Sequence, residues 1–154
     1  MSKKNIELEY SWKYSEVWPY NGMVNDLYRG VQAEQNYLVA LGLFAYSEAL
    51  GRMILGTIGR RGGGAKAFRA FTEKYVGYKF VNWDEVFDLY RNGFVHEFYI
   101  KKIGSGVYND DGLAKCGLVI SGSVLHVLIN SYFKHFAVGL ERAIDAGVLQ
   151  KQTL

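Results

Sequence analysis

Within 154 residues, the one run in which residue types and spacing converge on chemistry is Arg91-Asn92-Gly93-Phe94-Val95-His96, followed by Glu97. A guanidinium, a carboxamide and an imidazole stand here in a segment otherwise apolar and aromatic. Arginine holds phosphate oxygens with a rigid fork of donors, and histidine moves a proton near neutral pH. Together they suit chemistry on a phosphate. An ideal helix turns about 100° per residue, which places Asn92 and His96 on one face and leaves Arg91 roughly 140° from His96. Arg91 must then reach around, while Gly93 leaves room for a local distortion or for a phosphate near the backbone. The competing reading of the same residues is an arginine salt-bridged to Asp88 or Glu97 and a histidine satisfied in the core.

Other signatures fail. Gly59-Arg60-Arg61-Gly62-Gly63-Gly64 continues as Ala65-Lys66, without the Gly-Lys-Ser/Thr that completes a P-loop and without a preceding apolar strand. Gly104-Ser105-Gly106 lacks the third glycine of a dinucleotide fingerprint and reads as a turn. His126 and His135, nine residues apart, fall on opposite sides of one expected helix, and no His-Glu-x-x-His spacing exists, which argues against a zinc enzyme. The single cysteine, Cys116, allows neither an internal disulfide nor a cysteine-rich metal site and fits a reducing compartment. No metal and no cofactor is therefore expected.

The elements that must position the motif read as mostly helical. Residues 1–21 read as a loosely packed arm pinned by Trp12 and Trp18, and residues 22–154 as a single helical domain. Gly22 to Thr57 is helix-like, with Leu38, Leu41, Ala45 and Ile54 at steps of three and four residues and a break near Gln35. Ile58 to Gly64 holds four glycines, each costing about 1 kcal/mol in a helix relative to alanine, and reads as a mobile loop. Ala65 to Tyr75 resumes a helix with Phe68, Phe71 and Tyr75 on one face. Asn82, with Glu85 three residues on, predicts a capped helix through Val86, Leu89 and Tyr90 that carries the motif in its second half. Ile103 to Ile120, with a turn signal at Asn109-Asp110-Asp111-Gly112, predicts a small β-hairpin or irregular insertion. From Ser123 as cap, Leu125, Ile129, Tyr132, Phe136, Leu140 and Ile144 trace a last helix ending near Gly147. The expected fold class is mainly all-α: a four- to five-helix bundle with that insertion before the last helix.

Composition sets the outer bounds. Hydrophobic residues make up 49% and charged residues 21%, an ordinary globular balance. Residues 1 to 12 lack the apolar segment of a secretory signal, and the apolar stretch Tyr37 to Tyr46 is about half the roughly 20 residues of a membrane span. A cytoplasmic protein without a membrane partner is the resulting expectation. The net charge of +3 is small but uneven: Arg60, Arg61, Lys66, Arg69, Lys74 and Lys79 are opposed between Gly59 and Lys79 only by Glu73. That region is a solvated basic face or an anion-binding one, with Arg60, Arg61, Lys66 and Arg69 the candidate RNA-binding residues. Twelve tyrosines and nine phenylalanines could also line a small-ligand pocket, although core and interface packing accounts for most of them.

Arg91, Asn92 and His96 resemble the signature of the HEPN superfamily: arginine, a polar residue often directly after it, four intervening residues in all, then histidine. The likeness covers roughly Gly22 to Gly147, and Tyr46-Ser47-Glu48-Ala49-Leu50-Gly51-Arg52 is similar to the acidic helix of that family. The resemblance implies metal-independent endoribonuclease activity, in which the ribose 2′-hydroxyl attacks the adjacent phosphorus and leaves a 2′,3′-cyclic phosphate. It implies His96 as acid/base, Arg91 as phosphate ligand, Asn92 as orienting group and Glu48 as supporting partner; Glu48 also reads as half of an ion pair with Arg52. Such cleavage needs an acid and a base, yet each chain brings one motif histidine, so a homodimer sharing one cleft is expected. A toxin or a defence or stress component is the implied setting, with an antitoxin or a nucleotidyltransferase as possible partner. In the branch modified by a nucleotidyltransferase a tyrosine lies two residues after the histidine; here Phe98 holds that position and Tyr99 follows. Other members of the family keep the bundle and bind RNA or protein without cutting, which is the alternative reading.

Overall fold

In the computed structural model, which describes residues 12–96, 105–150 and 152–153 with the side chains of 94–96, 105, 152 and 153 left aside, the chain turns between Gln32 and Asn36. Glu34 takes a φ of 56° there. This break, expected near Gln35, separates α1 (Tyr20–Gln32) from α2 (Asn36–Leu55). α3 (Gly64–Phe71) continues into a π-turn at Thr72–Val76, and α4 (Trp83–Tyr90) into a second π-turn at Arg91–His96. After β2 (Ser105–Tyr108), β3 (Leu118–Ser121) and β4 (Val124–Leu128) comes α5 (Ile129–Asp145). Two short strands, β1 (Val17–Trp18) and β5 (Gln152–Thr153), pair antiparallel and join the two ends of the described chain. The fold is mainly α, with a small β insertion before the last long helix.

α2 is the central helix, and its inward face differs from the expected stripe. Val39, Ala40, Leu43, Phe44, Ser47, Leu50 and Gly51 are buried, whereas Leu38 is 61% exposed and Ala45 faces solvent. Being apolar nearly all round, the helix offers several plausible stripes, and only its neighbours select one. Among the described residues it is also the one helix long and apolar enough by length and composition to cross a membrane. Here one side of it is core. α3 crosses it at Gly51, where a Cβ would sit 1.6 Å from the carbonyl oxygen of Ala67, so no side chain fits between the two backbones.

Phe44 organises the core around α2. It stacks on Tyr90 at 4.3 Å and on Phe68 at 5.4 Å between ring centroids, and meets Tyr132 edge-on at 5.7 Å. α3, the end of α4 and α5 are thereby held to one ring. Trp12 is buried and its indole N–H donates to the carbonyl of Ala137 at 3.2 Å, while Trp18 is 48% exposed. Residues 12–21 are thus tied to α5 and the C-terminal segment, with α1 already under way at Tyr20.

The insertion is a three-stranded sheet of order β2-β4-β3. Its hairpin joins β3 to β4 around Gly122, later than the 103–120 hairpin anticipated, and β2 adds in parallel on the other side of β4. Ser123 is accordingly not a helix cap. Val124–Leu128 alternates between half-buried and buried positions, as a strand does, and Leu125 is a core residue of β4 rather than the first turn of α5. The cap of α5 comes from elsewhere: Asp110 Oδ1 accepts from the backbone N–H of Asn130 at 2.8 Å and of Ser131 at 3.3 Å, while Leu128 at the N-cap has no side-chain acceptor.

Candidate active site

The site begins with the cap of α4. Asn82 Oδ1 accepts from the backbone N–H of Glu85 at 3.1 Å, and Asp84 and Glu85 place negative charge in the first turn, where the helix dipole favours it. Trp83, Val86, Phe87 and Tyr90 are buried, so the helix is anchored along one face up to the residue before the motif. At Arg91 the winding changes to the π form, which extends over Arg91–His96 with buried Gly93 inside it. A π-turn pairs residue i with residue i+5, so positions 91 and 96 stand one turn apart on one side of the helix. The roughly 140° separation of an ideal α-helix does not apply. Arg91 and Asn92 are exposed; the His96 side chain, Glu97, Phe98 and Tyr99 lie outside the described residues.

Beneath Arg91 is an aromatic floor. Its guanidinium carbon lies 5.6 Å from the centroid of the Phe87 ring, and among the described residues no ion pair joins it to Asp88. Tyr90 is 4% exposed, and its phenol is pushed up to about 12, chiefly by burial; the Glu48 carboxylate adds to the shift and Arg91 opposes it. Glu48 and Arg91, on different helices, therefore act on the same hydroxyl. Glu48 is also paired as the i,i+4 spacing predicts: its Oε1 accepts from Arg52 Nε at 3.2 Å and Nη2 at 3.1 Å. With side chains 24% and 18% exposed, this pair is partly buried rather than solvated.

Gly64, the first residue of α3, connects these groups to the basic segment. A Cβ on it would lie 2.4 Å from Phe87 Cζ and 3.0 Å from Glu48 Oε1, so the backbone passes directly beside both. The loop before it, expected to be mobile, is tied down: Arg52 donates to the carbonyl of Arg60 at 3.3 Å and to that of Gly62 at 2.9 Å. No sequence signal pointed to this second use of Arg52, because its partners are backbone atoms.

Arg60, Arg61, Lys66 and Arg69 are all exposed. The first three line a recess of about 360 Å³ with Leu55 and Thr57. Lys66 also borders a second recess of about 280 Å³ formed with Arg69, Asn82, Trp83 and Asp84. Arg69 differs from the others, since it is bridged to Glu73 at 3.0 Å and lies 6.0 Å from the Trp83 ring. Glu48 and the Phe87 ring under Arg91 thus both abut the Gly64 backbone, where the basic segment enters α3.

No family model, curated protein or solved structure matches this chain. The other histidines have local structural partners. His126 belongs to β4, not to the last helix, and its Nδ1 is 3.2 Å from the Tyr108 hydroxyl. His135, on α5, has Nδ1 2.6 Å from the hydroxyl of Tyr78, which itself accepts from the N–H of Gly117 at 2.8 Å. When the hydroxyl donates to His135 Nδ1, the neutral imidazole carries its proton on Nε2.

Proposed function

We propose that this protein is a metal-independent endoribonuclease acting as a homodimer. The observation that supports the reading is the π-turn: positions 91 and 96 are one turn apart, with Arg91 and Asn92 exposed, at the end of a helix whose Phe87 and Tyr90 pack into the aromatic core. One His96 takes the proton of the ribose 2′-hydroxyl as its oxygen bonds to phosphorus. The P–O5′ bond breaks, and His96 of a second copy protonates the departing 5′-oxygen, giving a 2′,3′-cyclic phosphate and a 5′-hydroxyl. Arg91 holds the non-bridging oxygens as charge gathers on them, Asn92 orients the phosphate or the imidazole, and Glu48 acts through the Tyr90 side of Arg91. The exposed cations from Arg60 to Arg69 attract the strand. Regulation by an antitoxin or nucleotidyltransferase, and a toxin, defence or stress role in the cytoplasm, would go with this reading; the free thiol of Cys116 is compatible with such a reducing setting.

Incubation with mixed RNA in EDTA is the test. Products should end in 2′,3′-cyclic phosphate, and His96→Ala and Arg91→Ala should each cut at least about 100-fold more slowly. RNA left intact by the wild-type protein, or cleavage that persists in His96→Ala, overturns the proposal.

A non-catalytic helical module binding RNA or another protein is the second reading. Two observations favour it: Arg52 already engages Glu48, and Leu38 stands exposed in a shallow groove of about 130 Å³ between α1 and α2. On that reading Arg91→Ala lowers stability through lost packing while RNA stays uncut in every variant.

A further inference from the structure

The recess at the junction of α2 and α3 holds three cations and no carboxylate. Arg60, Arg61 and Lys66 line it with Leu55, Thr57 and the Gly62–Gly63 backbone, and among the described residues none of the three is in an ion pair. Gathering like charges is unfavourable unless an anion joins them. Its volume of about 360 Å³ lies at the small end of the range for ligand pockets.

Two backbone N–H groups of the loop beside these cations are also unengaged among the described residues. Arg52 engages the carbonyls of Arg60 and Gly62 from the α2 side and takes no part in lining the recess. In a trans peptide the N–H points opposite the C=O, so the N–H groups of Arg61 and Gly63 face away from Arg52. Neither meets an acceptor among the described residues. Two carbonyls of the loop are thus tied to α2, while the exposed side chains of Arg60, Arg61 and Lys66 bring the charge. It is joined to Arg91 through Gly64, whose backbone touches the Phe87 ring beneath the Arg91 guanidinium.

We propose that this recess is a second phosphate site, taking a backbone phosphodiester of the same RNA strand whose scissile phosphate lies at Arg91. The assignment rests on the ribonuclease reading for the identity of the strand. It makes the distance between the two sites, rather than base identity, the first determinant of where a strand settles.

The test is binding without cleavage. A fluorescein-labelled 2′-O-methyl oligouridylate lacks the attacking hydroxyl, so its anisotropy reports affinity alone across a series of KCl concentrations. The triple variant Arg60→Gln, Arg61→Gln, Lys66→Gln alters exposed side chains and should keep the near-ultraviolet circular dichroism of the wild type. Its slope of log affinity against log salt should be shallower by about 0.7, the contribution of one phosphate on a single strand. Arg91→Gln should remove a similar amount independently, and the two losses should add. An unchanged slope in the triple variant overturns the proposal. Inorganic phosphate is the second arm: if it raises the melting temperature of the wild type but not of the triple variant while the oligonucleotide slopes coincide, the site serves free phosphate and the strand assignment is wrong. A shallower slope in a protein that never cuts RNA retains this site and rejects the nuclease. Cutting with unchanged slopes does the reverse.

Discussion

The Arg91 guanidinium carbon lies 5.6 Å from the centroid of the Phe87 ring, and that ring in turn abuts the backbone of Gly64. One aromatic side chain thus supports the motif arginine and spaces it from the basic segment. Phe87→Leu keeps the site apolar but removes the ring face, a contact worth about 0.5–1 kcal/mol where partly exposed. RNA cleavage should fall several-fold while stability declines by less than the roughly 3–5 kcal/mol of a Phe→Ala truncation. Full activity in a folded Phe87→Leu protein would show that the ring does not position Arg91.

Arg52 has two roles that a single substitution separates. Arg52→Lys keeps the charge beside Glu48 but lacks the planar fork that reaches two carbonyls as well. Trypsin should therefore cut after Arg60 or Arg61 faster in Arg52→Lys than in wild type, and faster again in Arg52→Ala. Equal digestion rates in all three would mean that the loop is held by something other than the guanidinium.

Gly51 and Gly22 make opposite predictions for the same substitution. Gly51→Ala forces a methyl carbon to 1.6 Å from the Ala67 carbonyl oxygen, a backbone atom that cannot swing aside, and should destabilise by about 3 kcal/mol or more. Gly22→Ala, in α1 with nothing within 4 Å of its added Cβ, should stabilise by about 0.4–1 kcal/mol. Urea denaturation midpoints decide both, and a wild-type midpoint for Gly51→Ala would contradict the α2–α3 contact described.

Asp110 caps a helix that starts nineteen residues further on, at Ile129. It accepts from the N–H groups of Gly112, Asn130 and Ser131 and from the Ser131 hydroxyl. Asp110→Ala removes the cap and leaves partly buried donors unmatched, so a loss of about 2–3 kcal/mol is expected, with Asp110→Asn losing less. Calorimetric melting of the three proteins checks the order. A loss of only a few tenths in Asp110→Ala would leave α5 without need of this cap.

His135 predicts a pH dependence. Burial is the main cause lowering its pKa below the usual histidine value of about 6.5, with Arg142 and Lys134 acting in the same direction and Asp110 opposing. The unfolded chain then binds the proton more readily than the folded one. This contribution is complete above about pH 6.5 and is lost as pH falls below it through the folded value. Protonation at Nδ1 also displaces the Tyr78 hydroxyl proton from its acceptor. Stability measured from pH 7.5 to 5 should drop more in wild type than in His135→Gln; parallel curves would remove His135 from the acid response.

Much of the architecture was legible locally. The break before Asn36, the Asn82 cap, the Phe68-Phe71-Tyr75 face and the Glu48–Arg52 spacing all depend on residues within a few positions of one another, and propensity and periodicity act on that scale. The motif was visible by composition alone. Its geometry was not, because an α-helix and a π-turn accept the same letters, and the switch at Arg91 occurs on a helix end held by Phe44 and Tyr90.

Tertiary structure decided the remainder. α2 is apolar on so many sides that only contact with α3 at Gly51 and with the aromatic core distinguishes its buried face from the Leu38 side. Leu125 fits a helical stripe with Ile129 as well as it fits the alternation of β4, and pairing with β2 and β3 settles the matter. Arg52 on the Arg60 and Gly62 carbonyls, and Asp110 on the start of α5, satisfy backbone groups with side chains from other elements. Such bonds leave no trace in any window of sequence, since the partner atoms are the same for every residue type and only the folded chain brings them within reach.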